Sequence, residues 1–225
     1  MATAIITGGS KGLGRALAGA LHDLGWRIVT DGRDPAALER LRAELGDDVV
    51  TVAGDVADPA HRAALLAAAG GPVDVLVNNA STIGPSPMPT IATYPLDELR
   101  RVYEVNVIAP VALIQDVLPV LASGGRIVDI SSDAAVEGYE GWGGYGPAKA
   151  ALDHVGRVLA AERPDVAVYT VDPGDMRTEL HQAAFPGEDI SDRPPPEDSV
   201  PGVLALVLGD LPSGRYVAKD LVPVS

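Results

Sequence analysis

Short apolar, β-branched runs alternate along this chain with stretches whose apolar positions recur at helical spacing. The runs fall at residues 3–7, 27–31, 49–53, 73–77, 126–130, 166–171 and 215–218. The inner ones are continuously apolar, as strands covered on both faces must be. Between the first two, Leu13, Leu17, Ala20, Leu21 and Leu24 share one helical face, and Gly25 supplies the stop. Asp34 followed by Pro35 opens the next helix: the acid caps, and the proline sits where no N–H is missed. A longer helix is predicted over about 96–121, with Pro110 and Pro119 bending or shortening it. Another runs over about 145–162 and ends before Pro164. This alternation predicts βαβ units and hence an α/β fold, a doubly wound parallel β-sheet with helices on both faces. The length suits a single domain over residues 1–225. After Gly174 the periodicity stops, and the proline-rich run 192–198 closes an irregular segment, about 174–198, expected to be a mobile substrate loop.

Composition narrows the possible partners. Apolar residues make up 47% of the chain, enough for a real core. A formal charge of −14 argues against nucleic acid and against an anionic membrane surface, both of which need a basic face. No apolar stretch approaches the roughly 18 residues of a membrane span, and no signal-peptide pattern precedes the first strand. A cytoplasmic protein is expected. With no cysteine there are no disulfides or thiolate ligands, and His22, His61, His154 and His181 lack metal-ligand spacing, so no metal site is expected.

The candidate chemistry begins directly after the first run. Thr7-Gly8-Gly9-Ser10-Lys11-Gly12-Leu13-Gly14 joins a strand to a helix. Glycines there permit a tight turn and close approach of backbone to a pyrophosphate, while the helix N-terminus offers unpaired N–H groups to the anion. Tight glycine turns serve other α/β proteins too; the strand before and the helix after give this one its weight.

The spacing Thr-Gly-x-x-x-Gly-x-Gly resembles the cofactor motif of the short-chain dehydrogenase/reductase family, whose fold is Rossmann-like, and the likeness extends along nearly the whole chain. Asn78-Asn79-Ala80 follows the fourth strand, with Ser81 where the family usually has glycine. Asp55-Val56 matches the pair that touches adenine, and Asn106 matches the family's helix asparagine. Ser131-Ser132 closes the fifth strand, Tyr145-Gly146-Pro147-Ala148-Lys149 matches Tyr-x-x-x-Lys, and Pro173-Gly174 with Thr178 matches Pro-Gly-x-x-x-Thr. The resemblance implies an oxidoreductase that moves a hydride between a nicotinamide cofactor and a carbonyl or hydroxyl carbon. It assigns cofactor contacts to Gly8, Ser10, Lys11, Gly12, Leu13, Gly14, Arg33, Asp55, Val56, Asn79, Ala80, Tyr145, Lys149, Pro173, Gly174 and Thr178. It assigns catalytic roles to Ser132, Tyr145, Lys149 and Asn106, with the lysine also on the nicotinamide ribose and the asparagine holding a water of a proton relay.

The chemistry of those residues is coherent. Tyr145 and Lys149 lie four apart on one helix face, ~6 Å along the axis. A phenol ordinarily titrates near 10, and a neighbouring ammonium favours its ionised form; a tenfold change in that ionisation equilibrium is worth about 1.4 kcal/mol. A tuned phenol suits the proton that a developing alkoxide needs. A Tyr/Lys pair also occurs on ordinary amphipathic faces; Ser132, at a strand's end where α/β sheets place ligands, adds a hydroxyl to orient a substrate oxygen. By the resemblance Ser132 rather than Ser131 fills that role, and alternation along the strand separates the two side chains.

Gly32 stands where the family's NAD enzymes carry aspartate, and Arg33 and Lys11 align with cations of its NADP-preferring members. Two cations suit a phosphate dianion, so NADP(H) is expected ahead of NAD(H). Asp31 points the other way: were the strand one residue shorter, its carboxylate would face the ribose and favour NAD. Residues 81–94, 133–144 and 175–196 should line the substrate side. They bring Met88, Tyr139, Trp142, Met176 and Phe185 for an apolar or aromatic body, and Asp133, Glu137, Glu140, Asp175 and Glu179 against a polyanion. Arg177 and His181 are read there as loop-surface residues ahead of contacts. The expected substrate is a small neutral ketone, aldehyde or matching alcohol, and the resemblance implies a homodimer or homotetramer. Two alternatives stay open. One is a non-catalytic nucleotide-sensing protein, against which the intact Ser, Tyr and Lys speak; the other is an epimerase or dehydratase working through transient oxidation at the same site.

Overall fold

All seven runs join one parallel sheet in the computed structural model, which describes residues 1–221. The strands are β1 Thr3–Ile6, β2 Arg27–Gly32, β3 Val49–Ala53, β4 Val73–Asn78, β5 Leu121–Ile130, β6 Ala167–Asp172 and β7 Gly214–Val217. Their order is β3-β2-β1-β4-β5-β6-β7. β1 therefore sits between β2 and β4, with Ile5 level with Val29 on one side and Leu76 on the other.

Helices cover both faces: α1 Gly12–Asp23, α2 Pro35–Leu45, α3 Pro59–Ala69, α4 Leu96–Tyr103, α5 Ala109–Val117, α6 Tyr145–Glu162, α7 Glu179–Ala184 and α8 Val200–Leu208. Alternation along β1 decides which face each residue serves. Ala4 and Ile6 pack with Leu17 and Leu21 of α1 and Val203 and Leu206 of α8. Ile5 packs on the other side with Leu65 of α3, Leu113 and Ile114 of α5, and Leu159 of α6. These side chains are almost wholly removed from water, which is worth roughly 1.5–3 kcal/mol for each large aliphatic group. Asp34 and Asp58 cap α2 and α3, each followed by proline, and accept from Ala36 and Ala37 and from Ala60.

Three features differ from the sequence expectation. β5 starts at Leu121 rather than at 126; Gly124, Gly125 and a register shift opposite Val73 and Val75 interrupt its apolar pattern. The 96–121 helix is a rod of α4, a π turn over Glu104–Ile108, α5 and a 3-10 turn over Leu118–Val120. Pro110 has no N–H for the Asn106 carbonyl four residues back, and the turn widens there so that Ala109 donates to Glu104. The 25 residues of Leu96–Val120 are long and apolar enough to cross a membrane, but half of the most apolar window is buried in the molecule, and Leu113, Ile114 and Val117 point into the core. Finally, the segment expected to be irregular contains α7 and a 3-10 turn, Pro196–Ser199, that leads into α8. α8 reads Val-Pro-Gly-Val-Leu-Ala-Leu-Val-Leu, with no polar positions to reveal a period.

Candidate active site

The chain leaves β1 toward β2 and β3, then returns to β4 on the opposite side, so a crevice opens at the carboxyl ends of β1 and β4. Two loops meet in it. Thr7 Oγ1 accepts from the Asn79 and Ala80 amides, both at 2.9 Å, and Asn79 Nδ2 donates to the Thr7 carbonyl at 2.8 Å. The glycines are needed for approach as well as turning. A Cβ on Gly9 would lie 2.0 Å from Thr30 Oγ1, and one on Gly14 would lie 2.5 Å from the Gly8 carbonyl oxygen. Gly8 and Gly12 have φ of 70° and 56°, in the left-handed region. The N-terminus of α1, without a side-chain cap, opens onto a cleft of about 1440 Å³. That cradle, bare of Cβ atoms, fits a dinucleotide. The cleft is lined by every expected cofactor residue except Gly14, which is packed beneath the turn.

At the β2 end, Asp31 is turned inward. β2 extends to Gly32; Asp31 Oδ1 accepts from the Gly8 amide at 2.6 Å, and its Oδ2 meets His61 Nε2 at 2.7 Å, both side chains buried. Both oxygens are thus engaged inside the protein, and Gly32 and Arg33 follow on the cleft wall. Lys11 is paired across the cleft with Glu179 of α7, and both are exposed. Asp55 pairs with Arg101. Burial works against its charge, but the Ala57 amide, Arg101 and Arg33 together hold it below the usual carboxylate range.

At the opposite end, Ser132, Tyr145 and Lys149 share the cleft. The strand end sends Ser132 to the opening, while Ser131 is buried. Ser132 Oγ donates to Asp133 Oδ1 at 2.9 Å and accepts from the Ala134 amide at 3.2 Å. Tyr145 opens α6, and burial pushes its phenol above the ordinary value, opposed by the hydroxyls of Ser81 and Ser132. Lys149 donates to the Ile130 carbonyl at 2.7 Å, with its Nζ 5.5 Å from the Tyr145 ring centroid. Burial draws its ammonium down to about 8. Two serine hydroxyls favour the phenolate here, and the Lys149 ammonium stands beside the same ring.

Asn106 stands behind the wall, fully buried. Its amide clamps the Thr82 backbone in both directions, Nδ2 to the Thr82 carbonyl at 2.8 Å and Oδ1 from the Thr82 amide at 2.9 Å. Deeper still lie charges with no sequence signature. Asn78 Nδ2 donates to Asp129 at 2.8 Å, and burial pushes that carboxyl up to about 7. Arg215, from β7, donates to Asp153 at 2.9 Å and to the Ser132 carbonyl at 3.0 Å, and approaches Asp172 at 3.7 Å.

Aromatic groups line this end of the cleft. Trp142 lies edge-on to Tyr145 with centroids 5.5 Å apart and contacts Tyr139 and Phe185. His181 is buried against Phe185, 3.8 Å from Asp175, and is not the loop-surface residue expected. Arg177 is exposed, as expected. The signals missed were Ser81, readable as a departure from a glycine position, and His61, which no ligand spacing marked. Nothing in the sequence links Arg215 to Ser132.

A glycine cradle at the switch point, with a serine, tyrosine and lysine at the far end of the same cleft, defines a dinucleotide-binding oxidoreductase. The family model for short chain dehydrogenase matches residues 2–189, and the chain belongs to the short-chain dehydrogenase/reductase family. It is 32% identical over 182 residues to an uncharacterised oxidoreductase of Saccharomyces cerevisiae, covering 78% of this chain and 71% of that protein. It is 35% identical over 227 residues to L-xylulose reductase of Bos taurus, covering 97% and 84%. A short-chain dehydrogenase from Shigella flexneri, crystallised with NADP, superposes with a TM-score of 0.89 at 26% identity, over 97% of each chain.

Proposed function

We propose that the protein reduces a small, neutral, apolar or aromatic carbonyl compound with NADPH, or oxidises the matching alcohol with NADP. The observation that carries this reading is that Ser132, Tyr145 and Lys149 line the same cleft as the glycine turn, with Lys149 buried close to the Tyr145 ring. The nicotinamide, when bound, supplies or takes up the hydride. Ser132 turns its proton from Asp133 to the substrate oxygen and orients the carbonyl. Tyr145 gives its proton to the oxygen in reduction and removes it in oxidation. Lys149, still largely protonated near neutral pH, holds the ribose hydroxyls. Asn106 takes the relay position through its main-chain carbonyl, because its side chain is spent on Thr82 and Pro110 cannot donate to it.

The preference for NADP rests on charge. Asp31 has no oxygen left for a ribose, Gly32 offers no carboxylate, and Arg33 and Lys11 stand at that end as cations for a 2′-phosphate. The 2′-phosphate would draw Lys11 from Glu179.

Tyr145→Phe should lower turnover about 10²–10⁴-fold, the usual worth of a general acid, while NADPH binding followed by fluorescence stays within about twofold. Near-normal turnover by that variant overturns the assignment. In the parent protein kcat/KM should favour NADPH, and Arg33→Ala should erode that preference by about tenfold or more, the loss of one charge-assisted bond. A strong preference for NADH would overturn the cofactor reading.

A further inference from the structure

Ser132 stands one residue beyond the point where the sheet can hold it. The ladder between β5 and β6 closes with the Ser131 amide donating to the Val171 carbonyl at 2.7 Å. The chain then enters a single 3-10 turn over Asp133–Ala135. Where the Ser132 hydroxyl points therefore depends on how the peptide after it is fixed. A backbone carbonyl has two lone pairs, and both of those on Ser132 are engaged. One accepts from the Ala135 amide at 3.1 Å, which closes the turn. The other accepts at 3.0 Å from Nη2 of Arg215, on β7, two strands away in the sheet.

The same guanidinium reaches two further elements. Its Nε donates to Asp153 Oδ2 at 2.9 Å, and Asp153 lies on α6, one turn beyond Lys149 and two beyond Tyr145. Its Nη2 approaches Asp172 Oδ2 at 3.7 Å. Asp172 ends β6, and its Oδ1 accepts from the Gly174 amide at 2.9 Å. The side chain of Arg215 is 18% exposed and that of Asp153 only 3%, so water competes little, and the planar fork keeps its directions. One rigid cation thus sets Ser132 relative to the helix that carries Tyr145 and Lys149.

We propose that Arg215 is a positioning residue for the reaction: it holds the Ser132 carbonyl and Asp153 in fixed relation, and so aims the Ser132 hydroxyl at the oxygen that Tyr145 serves. Arg215 lies outside the cleft lining and exchanges no proton. The inference rests on the reading of Ser132 as the group that orients the carbonyl. A residue that acts only through Ser132 has nothing left to act on once that hydroxyl is gone. One that merely stabilises the fold lowers activity in either background.

The test is a double-mutant cycle in the full chain. Arg215→Lys keeps a cation for Asp153 without the fork, and Arg215→Gln keeps a planar amide donor without the charge; whichever folds carries the test. Each is made with Ser132 and with Ser132→Ala. With Ser132 present, kcat for carbonyl reduction should fall about tenfold or more, because a misplacement on the order of 1 Å can cost about 100-fold. NADPH affinity followed by fluorescence should stay within about twofold. In the Ser132→Ala background the same substitutions should change kcat less than about twofold. Losses that multiply across the two backgrounds would overturn the proposal, as would parental kcat in both Arg215 variants or failure of both to fold. A Ser132→Ala protein with near-parental turnover would instead overturn the reading beneath it.

Discussion

One carboxylate illustrates how much can turn on a single residue of strand length. Asp31 favours NAD if β2 stops before it and serves the glycine turn if β2 passes through it; the strand runs on to Gly32, and Asp31 supports Gly8 from below. Periodicity cannot resolve a strand end to one residue, so this choice was not legible in the sequence. His61 holds the other oxygen, and His61→Ala should leave a buried acceptor unpaired, at a cost of about 1–3 kcal/mol. Thermal unfolding should show a lower midpoint, and NADPH should bind several-fold more weakly as the Gly8 turn loosens. An unchanged affinity with a lowered midpoint would confine His61 to stability alone. Asp129 gives a residue-scale prediction of opposite sign to the usual carboxylate. Burial raises it from 3.8 to about 7, so between those values the folded protein holds more protons than the unfolded chain, and stability falls as pH rises through the window. Asp129→Asn should flatten that slope when denaturant unfolding is compared at about pH 5 and about pH 8. Parallel slopes in the two proteins would assign the pH dependence elsewhere.

At the scale of elements, the strong βαβ alternation and the Asp34–Pro35 cap were readable because each rests on local chemistry. The π turn was not. Pro110 signals a disturbance of the helix, but whether the rod bends, stops or widens depends on what lies against it, here the Thr82 backbone held by Asn106. α8 escaped for the opposite reason: all its positions are apolar, so no polar residue marks the side on which Pro201 is exposed. Pro110→Ala would return an N–H to the Asn106 carbonyl and let α4 and α5 join without the extra residue. The expected result is an unfolding midpoint equal to or above that of the parent, with kcat at least about tenfold lower as Asn106 rotates away from Thr82. A variant with parental kcat would mean that the wide turn is not needed to aim Asn106.

Across the whole molecule, the sheet was legible and its strand order was not, since the apolar runs are alike and only the family resemblance orders them. Both ends of the cleft could be named by motif, from Gly8 to Thr178, whereas the charges beneath it come from β5, α6, β6 and β7 and share no spacing. The proposed homodimer or homotetramer finds support in exposed apolar groups on the long helices, Leu96 on α4, Ile108 on the adjoining turn and Val158 on α6. Light scattering after size exclusion should give a multiple of the chain mass, and Ile108→Asp should shift it toward the monomer. A parent protein that elutes as a clean monomer at micromolar concentration would count against assembly.

Arg215 ties the last strand to the backbone of Ser132, and this carries a consequence for how activity develops with time. The cradle around Gly8 and Asn79 is assembled from the first part of the chain, but the carbonyl of Ser132 gains its guanidinium partner only when the seventh strand docks. On refolding from denaturant, nucleotide fluorescence should accordingly recover before turnover does, and Arg215→Ala should widen the lag. The capacity to hold the coenzyme would then precede the capacity to use it.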